Sequence, residues 1–291
     1  MKKHKICKIL LVILAIFLCV AFYELLGICI AYKKQPEVSN TTKKETKNGS
    51  WNECSENTER AVIIEKNPEA LLQRVRLIKN AKKEIILSTF AFQSDESGKL
   101  ILGALHDAAD RGVHIRLLVD GMESWIDMEG NPYFYGLSSH ENVEIKLYNK
   151  ANPLKPWKMM GRMHDKYLIA DGKTYILGGR NTYNYFLGDF PGHKNYDRDV
   201  LVVCDEPEKE NSVNQLLEYF ETIWEQEDSG YFHDNKKLAN RKSVKNAVLE
   251  LQNGYQKYFE ENKERICDTD YTDETFETEK IALVSNPIHT G

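Results

Sequence analysis

Residues 162–181 read RMHDKYLIADGKTYILGGRN, and the rest of the chain is interpreted outward from this stretch. Two short apolar runs flank Asp171 and Gly172, a pattern typical of two strands joined by a tight turn. His164 and Lys166 are two residues apart at the start of the first run. Because side chains repeat every second residue along a strand, both should lie on one face.

The second predicted strand ends at Gly178 and Gly179, and Asn181 follows two residues later. Glycine has no side chain, so the backbone can come close to a ligand there. An imidazole that acts as nucleophile or base, an ammonium, an amide and close backbone donors together suit a phosphate group. The pattern therefore predicts a phosphate site at His164, Lys166, Asn181 and the two glycines, and no metal-ligand spacing accompanies it.

Helical and strand patterns alternate on both sides of this hairpin. Apolar residues at helical spacing predict helices at 68–83, 99–111, 208–226 and 243–262. β-Branched and aromatic runs predict strands at 84–92, 113–119, 143–148, 166–170, 174–177 and 199–204. Such alternation is typical of an α/β fold, in which helices cover a sheet.

The pattern weakens beyond residue 228. Residues 269–279 are acidic and loop-like, and residues 281–284 (IALV) have the composition of a short buried strand. Residues 229–291 are therefore predicted to be a linker and the start of an incomplete second domain.

The N-terminal region contains an apolar run at 9–32 in which Glu24 is the single charge. At about 1.5 Å per residue this run spans about 36 Å, enough to cross a bilayer. A cleaved signal peptide is the alternative interpretation, with a weak cleavage match at 27–31. The predicted organisation is a basic tail at 1–8, a transmembrane helix at 9–32, a flexible tether at 33–59 and a folded body at 60–228.

This organisation predicts a single-pass protein of the cell membrane. Lysines lie on both sides of the apolar run, so the positive-inside rule does not decide the orientation. An anchor this close to the N-terminus more often leaves its short tail in the cytosol, which favours an extracytoplasmic body. In that compartment Cys54 and Cys267 could pair, although reduced thiols remain the alternative.

Composition excludes several classes of protein. Of 291 residues, 42% are hydrophobic and 29% are charged, which argues against a disordered chain. Lys and Arg total 39 and Asp and Glu total 44, giving a net charge of −5. This balance argues against affinity based mainly on nucleic-acid phosphates. Six Cys without a CxxC pair exclude a small disulfide-stapled fold and suggest no zinc site.

The HxKxxxxD pattern of His164, Lys166 and Asp171, followed by Gly-Gly and Asn181, resembles the HKD signature of the phospholipase D superfamily. The flanking segments GRMHDK, GGRNTYNYF and YDRDVLV are similar to the first half of bacterial cardiolipin synthase-like, or phosphatidyltransferase-like, proteins. The resemblance covers about residues 61–225. It implies a phospholipase D-like domain, a mixed β-sheet flanked by helices, behind the N-terminal transmembrane helix.

The resemblance also implies roles for individual residues. His164 would be the nucleophile, forming a phosphohistidine, or a general acid/base. Lys166 and Asn181 would hold the non-bridging phosphate oxygens. Asp171 completes the catalytic motif and is expected to hold its turn rather than touch substrate. Asp197 would bond the His164 ring and set its tautomer, and no cofactor or metal is required.

Two of these interpretations have alternatives. Asp197 could instead form a surface salt bridge, and Asp199 competes with it for the His164 role. The loop NPLKPWKMMGRM at 152–163 carries Trp157, which could meet lipid headgroups. The same Trp could equally tuck beneath an ordinary proline-rich loop.

The HxK pattern occurs once in the chain, at His164. Family members with two motifs build one active site from both. Two copies of this chain could therefore each supply one motif as a homodimer, or the chain is a weakly active remnant. The segment SNPIHTG at 285–291 resembles the beginning of a second domain. The other histidines of the body and C-terminal region lack the partner lysine: His106, His114, His140, His193, His233 and His289.

The resemblance implies a membrane-anchored phosphatidyltransferase or phosphodiesterase that acts on glycerophospholipids. Its expected substrate is a lipid of the phosphatidylglycerol type, with cardiolipin as the expected product. A nuclease of the same superfamily is the alternative, and the acidic net charge and the apolar span count against a nucleic-acid partner. A remnant of a two-motif enzyme is the third hypothesis.

Overall fold

The computed structural model of the protein describes residues 2–33, 40, 43–44, 59–158, 161–204, 211–233, 235–278 and 281–285. The first helix, α1 (Lys2–Lys33), contains the predicted span at 9–32. By length and composition α1 can cross a membrane, and its apolar side chains are exposed. Most of the predicted tether, with Cys54, lies outside the described residues, as do 286–291 with His289.

The body is built on one mixed sheet. In the described residues its strands are β1 (Glu59–Ile64), β2 (Glu84–Thr89), β3 (His114–Asp120), β4 (Val143–Tyr148), β5 (Lys166–Ala170), β6 (Thr174–Gly178), β7 (Asp199–Cys204), β8 (Ser229–Tyr231) and β9 (Phe276–Thr278). Their order is β8-β4-β3-β2-β5-β6-β7-β1-β9. β2, β3 and β4 are parallel neighbours, and the other pairs are antiparallel. The predicted mixed sheet flanked by helices is confirmed.

Helices cover both faces of this sheet. They are α2 (Asn67–Asn80), α3 (Glu96–Asp110), α4 (Gly121–Asp127), α5 (Pro132–Ser138), α6 (Ser212–Trp224), α7 (Lys242–Glu261) and α8 (Lys263–Cys267). Side chains alternate along each strand, so Leu168 of β5 packs into the core under α2, α3 and α7. Its neighbour Tyr167 packs into the second core, under α6.

Strand direction brings the motif loops to one edge of the sheet. β5 runs antiparallel to β2, so Lys166 at its start pairs with Thr89 at the end of β2. Gly178 at the end of β6 likewise pairs with Asp199 at the start of β7. We call this the motif edge; it is formed by the carboxyl ends of β2, β3, β4 and β6 and the amino ends of β5 and β7.

The region after residue 228 corrects the sequence interpretation. β8 joins the sheet beside β4, and β9 lies at the opposite edge beside β1. Residues 229–278 are therefore part of the same body and do not form the predicted linker, while a second domain that begins near residue 281 stays a prediction. The acidic segment at 269–279 contains β9, while 281–284 forms no strand. Its apolar Ile281 and Leu283 pack on the α6 side of the sheet, and Leu283 N donates to Gln215 Oε1 at 2.9 Å.

Candidate active site

His164 lies at the motif edge just before β5, with part of its side chain exposed. The Phe90 ring, which follows β2, packs edge-on against the imidazole with ring centroids 4.7 Å apart. Lys166 Nζ donates a 2.7 Å hydrogen bond to the His164 carbonyl and lies 5.3 Å from the Phe90 centroid. The structure thus brings the two predicted side chains together around Phe90, which the sequence analysis did not single out.

Asn181 reaches the same edge through paired loops. The loops after β2 and β6 run side by side, because Thr182 N donates to Ala91 O at 3.0 Å and Gln93 N donates to Thr182 O at 3.2 Å. The buried Asn181 accepts a 3.2 Å hydrogen bond at Oδ1 from Ala91 N. No described residue accepts a hydrogen bond from Asn181 Nδ2. This amide can therefore donate to a bound oxygen.

Asp120, at the end of β3, holds the segment that leads into the motif and was not predicted as a site residue. Its buried carboxylate accepts hydrogen bonds from Arg162 Nε at 2.8 Å and from Met163 N at 3.1 Å. The same group accepts two backbone N–H bonds from the first turn of α4. A carboxylate directly after a buried strand is the sequence signal that could have identified it.

Burial and nearby charges change the protonation of this site. Partial loss of hydration lowers the pKa of His164, and the Lys166 ammonium lowers it further. Burial also lowers the pKa of Lys166, although the Asp165 and Asp197 carboxylates oppose that effect. A lowered pKa favours the neutral imidazole, which is the form that can attack phosphorus.

Comparison with known proteins assigns the chain to a family. A sequence model described as "Cardiolipin synthase, PLD-like domain" matches residues 74–224, just over half of the chain. The chain belongs to the phospholipase D superfamily. The matched segment contains His164, Lys166 and Asn181, so the resemblance of the motif and the family match coincide.

Curated relatives are longer than this phospholipase D-family chain. An uncharacterized protein of Helicobacter pylori strain J99 is 30% identical over 212 residues, which cover 68% of this chain and 39% of that protein. Cardiolipin synthase C of Escherichia coli strain K12 is 29% identical over 171 residues, which cover 54% of this chain and 34% of that protein. The chain thus spans between a third and two fifths of the length of these two relatives.

A solved structure supports the fold. Phosphatidylserine synthase of Haemophilus influenzae superposes with a TM-score of 0.50 and 18% identity, covering 76% of this chain and 48% of that one. At this identity the likeness shows a shared fold.

Asp171 lies away from the other motif side chains. It follows β5, whereas Lys166 begins that strand, so about 17 Å of strand separates them. Its carboxylate accepts backbone N–H bonds from Lys82 (2.8 Å), Lys83 (2.7 Å) and Glu84 (3.0 Å). In this phospholipase D domain Asp171 therefore holds its turn against the start of β2, and it contacts none of the described reactive groups.

Gly178 and Gly179 pack against carboxylates. A side chain at Gly178 would collide with Asp199, and one at Gly179 would collide with Asp197. Gly178 also lines the cavity beside His164. The structure thus gives a second reason for glycine at both positions, namely the lack of room for a side chain beside the carboxylates. Contact of the two glycines with phosphate stays a prediction.

The expected bond between Asp197 and the His164 ring is absent among the described residues. Asp197 Oδ1 instead accepts a 2.8 Å hydrogen bond from Arg198 N. Since its charge raises the pKa of Lys166 against the effect of burial, Asp197 acts electrostatically on the lysine. The orienting role predicted for it is not seen in this geometry.

Asp199, the alternative to Asp197 as partner of the His164 ring, instead forms part of a buried ion cluster. It pairs with Arg74 of α2 at 2.9 Å and with Arg180 at 3.2 Å, and all three side chains are buried. Arg180 also donates to two backbone carbonyls at and just after the end of β1. The cluster therefore anchors the residue directly before Asn181, a role that no sequence pattern indicated.

A cavity of about 540 Å³ opens beside the motif. His164, Lys166 and Arg162 contribute polar wall, while Leu216 and Ile223 of α6 contribute apolar wall. A site with both kinds of wall can accept a molecule that carries a phosphate next to hydrocarbon.

Asp165 connects the motif to α6. Tyr219 of α6 donates a 2.9 Å hydrogen bond to Asp165 Oδ2, and burial raises the pKa of both groups. Because Asp165 lies between His164 and Lys166, this bond fixes the segment that carries both.

Proposed function

We propose that this chain is a membrane-anchored phosphatidyltransferase or phosphodiesterase that acts on glycerophospholipids through a phosphohistidine. The meeting of the His164 imidazole, the Lys166 ammonium and the Asn181 amide at one sheet edge carries the proposal. The relative named cardiolipin synthase C supports transfer of a phosphatidyl group between lipids. We propose phosphatidylglycerol as the substrate of this chain. The long apolar helix α1 supports anchoring in the cell membrane, and we place the body outside the cytosol.

In the proposed reaction the neutral His164 ring attacks the phosphorus of phosphatidylglycerol, and the bond from phosphorus to the glycerol oxygen breaks. Lys166 and the Asn181 amide donate to the non-bridging oxygens and offset their charge in the transition state. The released oxygen takes a proton and leaves as glycerol. A hydroxyl of a second phosphatidylglycerol, or water, then attacks phosphorus and gives its proton to the group that protonated the glycerol, while the bond from phosphorus to His164 breaks. The product is cardiolipin with the lipid acceptor and phosphatidic acid with water.

The proton for the leaving glycerol needs a second acid. A His164 that is bonded to phosphorus cannot protonate the leaving oxygen in the same step. We propose that two copies of the chain pair about a two-fold axis, so that two His164 side chains face one phosphate. One imidazole attacks while the other donates the proton.

The experiment that tests the function supplies purified full chain in detergent micelles with labelled phosphatidylglycerol and separates the lipid products. Cardiolipin would show transfer, and phosphatidic acid would show hydrolysis. His164→Ala should form neither. Absence of both products with the unaltered chain contradicts the proposal, and cleavage of DNA faster than lipid would favour the nuclease alternative.

A further inference from the structure

Four exposed apolar side chains near the candidate active site take no part in its chemistry. Trp125 and Ile126 on α4 are each 64% exposed, and Leu154 and Trp157 in the loop after β4 are 79% and 43% exposed. We call these four side chains the apolar rim. Exposed apolar clusters mark binding surfaces, and Trp in particular is enriched where protein meets lipid headgroups.

The two segments that carry the apolar rim, α4 and the loop after β4, are in contact where each of them begins. Gly121, the first residue of α4, packs so closely on the backbone of Asn149 and Lys150 that a side chain there would collide with it. Asn149 Nδ2 donates to the carbonyls of Lys158 and, at 2.7 Å, of Gly161. These bonds close the base of the loop, so α4 and the loop project from one rigid support.

The apolar rim also borders the motif edge. Glu123 of α4 pairs with Arg162 at 2.8 Å, and the Arg162 guanidinium lies 4.9 Å from the centroid of the Phe90 ring. Phe90 in turn packs on His164. Three successive contacts therefore lead from the helix that carries Trp125 to the proposed nucleophile.

The loop half of the apolar rim touches α1. Tyr23 Oη donates a 2.8 Å hydrogen bond to the Leu154 carbonyl. Four residues further along α1, the buried Gly27 packs directly against Pro156. The apolar rim thus lies beside residues 23–27 of α1, the helix that is proposed to cross the membrane.

This part of α1 coincides with the expected edge of the bilayer. Glu24 is the single charge in the predicted span at 9–32, and placing it at the headgroups shifts the membrane-crossing part of α1 from 9–32 to 6–23. Residues 6–23 span about 27 Å, close to the hydrocarbon thickness of about 30 Å, and residues 25–32 then lie at and beyond the headgroups. Lys8, near one end of this segment, can extend its ammonium toward the headgroups. Glu24 follows the other end, so Tyr23 falls where aromatic side chains are enriched in membrane proteins.

We infer that the apolar rim lies in the headgroup region of the bilayer that α1 crosses, so that the opening beside His164 faces the phosphodiesters of that bilayer. The inference rests on the proposed membrane anchoring. Lys150 and Lys155 are exposed in the same loop, and ammonium groups at this depth suit anionic lipids.

Fluorescence quenching in full-length protein tests this position. Single-tryptophan variants keep either Trp125 or Trp157, with the other tryptophans changed to Phe, and are reconstituted in vesicles of phosphatidylglycerol and phosphatidylcholine. A lipid with a spin label high on its acyl chain should quench both reporters. Leu249→Trp, at a 56% exposed position on α7, is the matched control and should be quenched little. Leu14→Trp, in the middle of the segment 6–23, reports separately whether α1 is inserted, through quenching by a lipid with its spin label near the end of the acyl chain.

A second measurement uses turnover. Ile126→Ser with Leu154→Ser should lower turnover of phosphatidylglycerol vesicles by at least about tenfold, because two apolar side chains no longer enter the membrane. Turnover of a water-soluble aryl phosphodiester should stay unchanged, and Leu249→Ser should change neither. Equal loss on both substrates would overturn the inference.

The quenching outcomes separate the inference from the proposed function. Unquenched Trp125 and Trp157 with a quenched Leu14→Trp would overturn the inference and leave the anchor intact. Quenching of Leu249→Trp as strong as that of the apolar rim would overturn it as well. A chain that turns over neither substrate would contradict the proposed chemistry, while the quenching pattern would still decide where the apolar rim lies.

Discussion

His164 lies at the motif edge, and His114 lies at the other end of the strands in the same sheet. The two histidines are therefore a matched pair for mutation. His114 begins β3 and pairs with Glu144 at 2.9 Å, far from the motif edge. If His164 attacks phosphorus, His164→Ala should lower kcat for phosphatidylglycerol by at least about a thousandfold, with substrate binding little changed. His114→Ala should keep nearly full activity, because exposed ion pairs contribute little. Comparable turnover in both variants would contradict the assignment of the nucleophile.

The pH dependence of the reaction should report the same imidazole. Burial and Lys166 both lower the pKa of His164, and only the neutral ring attacks. The rising limb of kcat/KM should therefore have its midpoint below the ordinary histidine value of about 6.5, and kcat/KM should fall again at higher pH as the second, proton-donating imidazole loses its proton. Lys166→Met removes one cause and should move the midpoint upward.

Lys99→Met, which removes the half-buried partner of Glu250 away from the motif, is the control for that experiment and should leave the midpoint in place. The midpoint is measured from kcat/KM on a soluble phosphodiester and from ring titration of His164 by NMR. A midpoint at or above the ordinary value in the unaltered chain would show that the imidazole is not the group that must lose a proton.

At the level of elements, two carboxylates near the start of β7, Asp197 and Asp199, should contribute differently to stability. Asp199→Asn leaves Arg74 and Arg180 buried without their counter-charge, so it should lower the free energy of unfolding by about 3–5 kcal/mol. Asp197→Asn alters a partly exposed group and should cost less than about 1 kcal/mol. Urea unfolding of the full chain in detergent measures both, and equal losses would show that the ion cluster does not hold β7.

Periodicity was informative where an element has a strong pattern of its own. The strand at 166–170 and the hairpin turn were predicted to the residue, because apolar runs flank an Asp-Gly pair. β8 and β9 have three residues each and lie at the sheet edges, so they show almost no alternation. They acquire strand structure from pairing with β4 and β1, which sequence patterns do not show.

Some residues of the candidate site could be predicted from local sequence patterns, and others could not. Local spacing predicted a phosphate site at His164, Lys166 and Asn181, and the family resemblance implied a role for each. Asp120 contacts Arg162, a residue 42 positions later, and Arg74 meets Asp199 across 125 positions. Such pairs form only when the sheet assembles, so no local pattern could have predicted them.

At the scale of the whole molecule, the proposed anchoring by α1 would place the reaction at the membrane. If α1 is an uncleaved anchor, the protein should remain in the membrane pellet after alkaline carbonate washing. Protease added to intact cells or spheroplasts should remove the body if it lies outside the cytosol. A soluble chain shortened at its N-terminus would identify the segment as a signal peptide, and protection of the body would reverse the proposed orientation.

The last prediction concerns the second imidazole of the proposed site. If two copies of the chain each contribute His164 to one phosphate, an inactive copy disables the active copy with which it pairs. Two anchors in one membrane raise the effective concentration of the partners and favour this pairing. Wild-type and His164→Ala chains are therefore mixed at fixed total protein in shared vesicles, and turnover is measured against the wild-type fraction. Activity should fall more steeply than that fraction, following its square when pairing is random. A strictly proportional fall would mean that each chain works alone, and His114→Ala in place of His164→Ala should produce no loss at any ratio.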